Sequence, residues 1–164
     1  MAGLRLKRAT NKVVVGGTEP VIEEMNIETV ANMYAGRLVE KGTNDDDCEL
    51  NSTTSGDMNP LGWLGYEQCA PEYKPATKAT IYTVGAKVPV LKGSGFILDA
   101  LAVDTSGETI AKGDYLMPTD TLGGVKKFAD TDPSTNKNIR VAQAEESVTI
   151  PAAGSIAILV RSLI

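Results

Sequence analysis

The chain has 164 residues, 42% of them apolar and 5% aromatic, with 16 glycines, 8 prolines and a formal charge of -5. That length and composition suffice for one domain with a core of Val, Ile, Leu and Ala, and the density of turn residues points to β structure. The negative charge disfavours nucleic acid as a partner, and the absence of histidine removes the commonest general base near neutral pH and the commonest zinc ligand.

Charge is uneven along the chain. Residues 1–12 carry Arg5, Lys7, Arg8 and Lys12 and no acid. Residues 1–17 therefore read as an extended basic arm that lies on an acidic partner, a solvated terminus being the alternative. No run approaches the ~20 apolar residues of a membrane span, and no apolar stretch follows the basic start as in a secretory signal. Synthesis in a cytoplasm without membrane insertion is the expectation.

Val13-Val14-Val15 is β-branched and stops at Gly16-Gly17, which predicts a short strand and a turn. From Met25, apolar side chains recur at Ile27, Ala31 and Met33, so residues 25–34 read as a half-buried strand; a short helix over 21–30 competes. Gly36 turns the chain into a strand over 37–40. A polar loop over 42–47, a brief strand at 49–50, a loop over 52–60 and a strand over 61–67 follow. Residues 69–80, with Pro71 and Pro75, read as an irregular insertion. Strands are expected at 81–84 and 88–91, with Pro89 marking a sheet edge. Residues 96–103 are expected to pair with 108–111 across a turn at 104–107. Further strands are read at 115–117, 125–128, 140–145 and 155–162, with a polar loop over 130–138 and a turn at Pro151-Ala152-Ala153-Gly154.

Two stretches follow one plan. Gly36-Arg37-Leu38-Val39 leads after a long excursion to Trp63-Leu64-Gly65-Tyr66-Glu67, and Gly113-Asp114-Tyr115-Leu116 leads to Val141-Ala142-Gln143-Ala144-Glu145. The glycine-to-glutamate spacings are 31 and 32 positions. Each is followed by an apolar strand, at 88–91 and at 156–160. One β unit used twice predicts an all-β fold: a small β-barrel or sandwich built from two related modules, approximately 29–91 and 96–164, within a single β domain over 18–164.

Several residue groups invite chemistry. Asn44-Asp45-Asp46-Asp47 is acidic but lacks the alternating spacing of a calcium loop, so no metal is expected there. Glu67 with Glu145 or Asp114 could form a carboxylate pair for hydrolysis. Their places at strand ends favour local bonds to backbone or to Arg37 or Arg161, at pseudo-equivalent sites. Ser94 has no histidine to activate it. Trp63, Tyr66 and Tyr73 could form a platform for a sugar or cell surface, whereas a lone Trp beside Leu61 and Leu64 more often belongs to a core. Cys48 and Cys69 fit no metal spacing; two buried free thiols are expected, one disulfide being the alternative. Neither a cofactor nor a catalytic residue is assigned.

Residues 29–68, through Asn32-Met33-Tyr34-Ala35-Gly36-Arg37-Leu38-Val39, Gly42-Thr43-Asn44-Asp45 and Pro60-Leu61-Gly62-Trp63-Leu64-Gly65-Tyr66-Glu67, resemble the capsid decoration, or structural cement, proteins of tailed bacterial and archaeal viruses. The second half adds Ala111-Lys112-Gly113-Asp114-Tyr115-Leu116, then Val141 through Ser147, then Ile158-Leu159-Val160-Arg161-Ser162. The resemblance spans roughly residues 13–164. It implies a β-rich fold without catalysis, and a place on the outer surface of the virion head. There such proteins, commonly homotrimers, bridge major capsid subunits. Arg5, Lys7, Arg8 and Lys12 are then the expected capsid contacts, and a sugar-binding or cell-surface-binding module displayed on the virion is the alternative.

Overall fold

The computed structural model describes residues 8, 11–29, 31–51, 59–104, 107–119, 121–129 and 139–164. Among these there are thirteen strands and no helix: β1 Val14–Gly17, β2 Val21–Ile27, β3 Leu38–Lys41, β4 Asp47–Leu50, β5 Pro60–Leu64, β6 Lys87–Lys92, β7 Ser94–Asp104, β8 Thr109–Ile110, β9 Tyr115–Pro118, β10 Val125–Lys127, β11 Ala142–Ala144, β12 Val148–Thr149 and β13 Gly154–Leu163. The all-β expectation holds. Five strands close a first barrel in the order β2-β4-β3-β5-β6. In the second module, pairing of β7 with β13 closes β7-β10-β9-β11-β13 into a like ring, and β1 adds to β7 from outside it.

The two rings repeat pair by pair. Each has one parallel contact, β2 with β4 and β7 with β10, and is otherwise antiparallel. The chain of partners Leu38–Trp63–Leu91 in the first matches Tyr115–Gln143–Arg161 in the second. Turn bonds repeat as well. Gly36 N–H donates to Leu64 O at 2.7 Å and Leu64 N–H to Arg37 O at 2.8 Å, while Gly113 N–H donates to Ala144 O at 2.8 Å and Ala144 N–H to Asp114 O at 2.9 Å.

The register corrects one expectation. Gly65 and Glu145 are the matched residues, each donating its N–H to the next strand, to Pro89 O and Leu159 O, at 2.8 Å. Glu67 lies beyond that position, so it is not the counterpart of Glu145. Loops of different length precede the two closing strands, and counting across them aligned the wrong residues.

Other expectations also change. β2 spans Val21–Ile27, beginning and ending earlier than the strand expected over 25–34, and takes the place of the competing helix. Residues 81–84 form no strand: Tyr82 is buried, its N–H donating to Met33 O at 2.9 Å and its hydroxyl to Gly65 O at 2.6 Å. β8 pairs with β12, because β13 takes the whole length of β7. Residues 105–106 of the expected hairpin turn, loop residues 52–58 and 130–138, and Arg5 and Lys7 lie outside the described residues. Pro89 is on no edge, since β6 lies between β2 and β5. It has no N–H to give Gly65 O, and the Tyr82 hydroxyl supplies that bond instead. At the matched place Leu159 does have an N–H, and it donates to the Glu146 carboxylate at 2.8 Å.

Alternation along three strands serves two cores. Val39, Leu64, Val88 and Val90 face the interior of the first barrel with Met25, Ile27, Met33, Cys48, Cys69 and Tyr82. Leu38, Trp63 and Leu91, on the opposite face, join Phe96, Leu98, Ile158 and Val160 in the core of the second. Trp63 is fully buried there and donates its Nε1–H to Ser162 Oγ at 3.2 Å. The cysteines are free and buried, and burial pushes the Cys48 thiol up to about 12.

The module junction is close enough for backbone to touch backbone. At Gly36 φ is +81°, and a Cβ there would lie 2.2 Å from Asp99 O; at the matched Gly113 φ is +94° and the space is open. Gly113→Ala should destabilise by about 1–2 kcal/mol, the cost of a left-handed backbone. Gly36→Ala should cost clearly more, measured by thermal or urea denaturation; equal losses would contradict the close approach.

Candidate functional site: the root of the arm between the barrels

Of the four basic residues expected to carry function, Arg8 and Lys12 are described, and both lie beside the start of β1. β1 lies antiparallel on the start of β7, with Val14 opposite Leu98 and Gly17 opposite Phe96, so part of the expected arm belongs to the sheet. Val13 is buried, and its carbonyl accepts the Asp99 N–H at 2.9 Å. The two oxygens of Glu67 each accept one backbone N–H, Oε2 from Val13 and Oε1 from Val14, both at 2.9 Å. Glu67 is presented by the turn after β5, whose Tyr66 is buried against the second core and donates its hydroxyl to Pro75 O at 3.0 Å. A carboxylate aimed at two successive N–H groups is a charge-assisted clamp on the strand entrance.

Ahead of this clamp, Arg8 Nε donates to Asp99 Oδ1 at 3.0 Å, and its Nη2 reaches the Glu146 carboxylate and Ala157 O, the latter at 2.6 Å. Asp99 Oδ2 accepts Lys78 Nζ at 2.7 Å. One carboxylate thus receives a cation from the arm and another from the insertion at 69–80, and its side chain is only 9% exposed. That shielding strengthens the pair relative to a surface ion pair. A cleft of about 300 Å³ opens beside it, lined among others by Tyr34, Arg37, Lys78, Asp99 and Ala157. Burial lowers the pKa of the Arg37 guanidinium, with Tyr34 opposing, and Arg37 Nη1 donates to Leu122 O at 3.1 Å.

Of the expected contacts, Arg8 is held within its own chain, although its side chain is 38% exposed, and Lys12 is exposed. The carboxylates are distributed among separate tasks. Glu67 clamps β1, Glu145 pairs with Arg161 Nε at 2.7 Å, and Asp114 accepts the Ala111 N–H at 2.9 Å and Lys127 Nζ at 3.0 Å. The backbone hydrogen bond and Lys127 hold the Asp114 carboxyl below its usual range. Asp45 pairs with Lys41 at 2.5 Å, and Asp47 accepts the side-chain amides of Asn44 and Asn26. The aromatic platform does not form: Trp63 and Tyr66 are core residues, which leaves Tyr73 alone at the surface.

No known family model matches the chain, and no curated protein matches it in sequence. Asp99 and Lys78 were not singled out from the sequence. The available signal for Asp99 was one acid interrupting the apolar run from Phe96 to Val103. Lys78 carried none.

Glu67→Ala would leave two N–H groups at the strand entrance without their acceptor, a loss of about 1–3 kcal/mol. Hydrogen exchange at Val13 and Val14 should speed up while that at Leu64 and Val160 stays slow; unchanged exchange at Val13 and Val14 would show that the clamp does not hold β1.

Proposed function

We propose that this protein is a non-enzymatic virion component that binds the outer surface of a viral head and stabilises it by bridging major capsid subunits, as a homotrimer. The resemblance in residues 13–164 supports this reading. The observation that carries it is the rooting of the basic segment. Arg8 ties the segment to Asp99 and Glu146, and Glu67 clamps it where it enters the sheet. Lys12 at the root is exposed, and Arg5 and Lys7 precede the anchor in sequence. A cationic N-terminal sequence joined to a β body suits attachment to an acidic protein surface.

Many copies on a lattice need only a modest interface each, because attachment is multivalent. Symmetric clustering would put the same patch at every subunit contact. The carboxylates considered for catalysis hold backbone and basic groups of their own chain, which fits a protein that works by shape.

Deleting residues 2–7 removes Arg5 and Lys7 and keeps the Arg8 anchor. Occupancy on empty shells of the cognate capsid protein should fall by roughly tenfold, about 1.4 kcal/mol, with the melting temperature unchanged. Undiminished occupancy would reject the segment as a contact, and failure of the intact protein to bind shells would reject the capsid reading.

A further inference from the structure

The internal repeat exposes a difference between matched strand edges. Along β2 the backbone groups of Val21, Glu23 and Met25 face β6, and those of Ile22 and Glu24 face the opposite way. Asn26 and Glu28 face that same way, and their N–H groups donate to Asp46 O and Cys48 O at 2.7 and 3.1 Å. β4 reaches only Asn26 and Ile27 of β2. At Ile22 and Glu24, then, the outward N–H and C=O groups have no partner among the described residues.

In the second barrel the matched residues are Ile97 and Asp99, because Ala102 pairs with Val125 as Ile27 pairs with Cys48. There the edge is occupied by β1: Gly16 stands opposite Ile97, and Asp99 N–H donates to Val13 O. Arg8 and Lys78 neutralise the Asp99 carboxylate. On β2 no described residue covers the same edge, which is apolar and acidic. Val21 is 67% and Ile22 47% exposed, and Glu24, the counterpart of Asp99, is exposed with no ion-pair partner among the described residues. An uncovered apolar strand edge is a template for strand addition.

We propose that the outer edge of β2 accepts an extended basic strand from the capsid subunit, seated as β1 is seated on β7. The assignment rests on the capsid reading for the identity of the guest. Its chemistry follows from the edge: it runs antiparallel to β2, lays an apolar side chain over Ile22 and brings Lys or Arg to Glu24. A second copy of the same edge would bring no cation to Glu24, because it presents only Ile22 and Glu24 outward and its Glu23 is already paired with Lys92. The chain's own β1 is already committed to β7 through Arg8 and Glu67.

The test combines hydrogen exchange, on the free protein and on protein bound to empty shells of the cognate capsid protein, with two variants. Ile22→Pro removes an outward N–H and leaves the β6 ladder intact; Glu24→Lys reverses the charge and carries the test should the proline variant not fold. Shell binding should slow exchange at Ile22 and Glu24 by roughly tenfold or more, and each folded variant should bind shells roughly tenfold more weakly. Shell binding with exchange at Ile22 and Glu24 unchanged, or with variants as tight as the parent, would overturn the edge assignment and leave the capsid reading standing. Slowed exchange that appears in the protein alone as its concentration rises would overturn it in favour of self-pairing. Absence of shell binding by the intact protein would overturn both.

Discussion

Strands β3, β5 and β6 are buried on both faces, and the remaining architecture depends on that double use. Val39, Leu64 and Val90 fill one barrel while their neighbours Leu38, Trp63 and Leu91 fill the other. Because side chains alternate with period two, a one-residue slip in any of these strands would exchange the two sets between cores. The register of the first barrel is therefore locked by the second. The same packing brings Gly36 against Asp99 O and holds Tyr66, and with it the Glu67 turn, over the entrance of β1.

The duplicated ring has diverged where its copies meet other groups. In the first barrel the segment between β5 and β6 is long and carries Tyr66, Lys78 and Tyr82 to Pro75 O, Asp99 and Gly65 O. In the second, the matched segment between β11 and β13 is short, and Glu145 and Glu146 in it bind Arg161, Arg8 and the Leu159 N–H. β1 covers one of two matched edges. Such asymmetry gives each barrel a distinct surface on a common frame.

Much of the frame was legible because it is local. Turn glycines, β-branched runs and two-residue alternation located β5 to β11 and β13 closely, though not the two-residue β12, and the repeat itself follows from Gly36 and Gly113 opening matched strands. What sequence reasoning missed is non-local. Pro89 reads as an edge signal, since nothing in its neighbourhood shows that the Tyr82 hydroxyl will replace its missing N–H. Residues 81–84 look like a strand, but Tyr82 is buried as a side-chain prop outside any ladder. The partners of Arg8 lie 91 and 138 positions away in sequence, so composition could mark the arm as basic without revealing its anchor. The two-position error at Glu67 came from unequal loops, which alter spacing without altering register.

If the two rings are fused through their shared strands, they open as one unit. Native-state hydrogen exchange at increasing denaturant measures this directly, by comparing the slowest amides of the first barrel, at Leu64 and Val90, with those of the second, at Leu98 and Val160. All four should converge on one global free energy of opening, and Trp63→Ala should lower it for both barrels together by about 3–5 kcal/mol. Two separate opening energies, with only one affected by the loss of Trp63, would contradict a shared core.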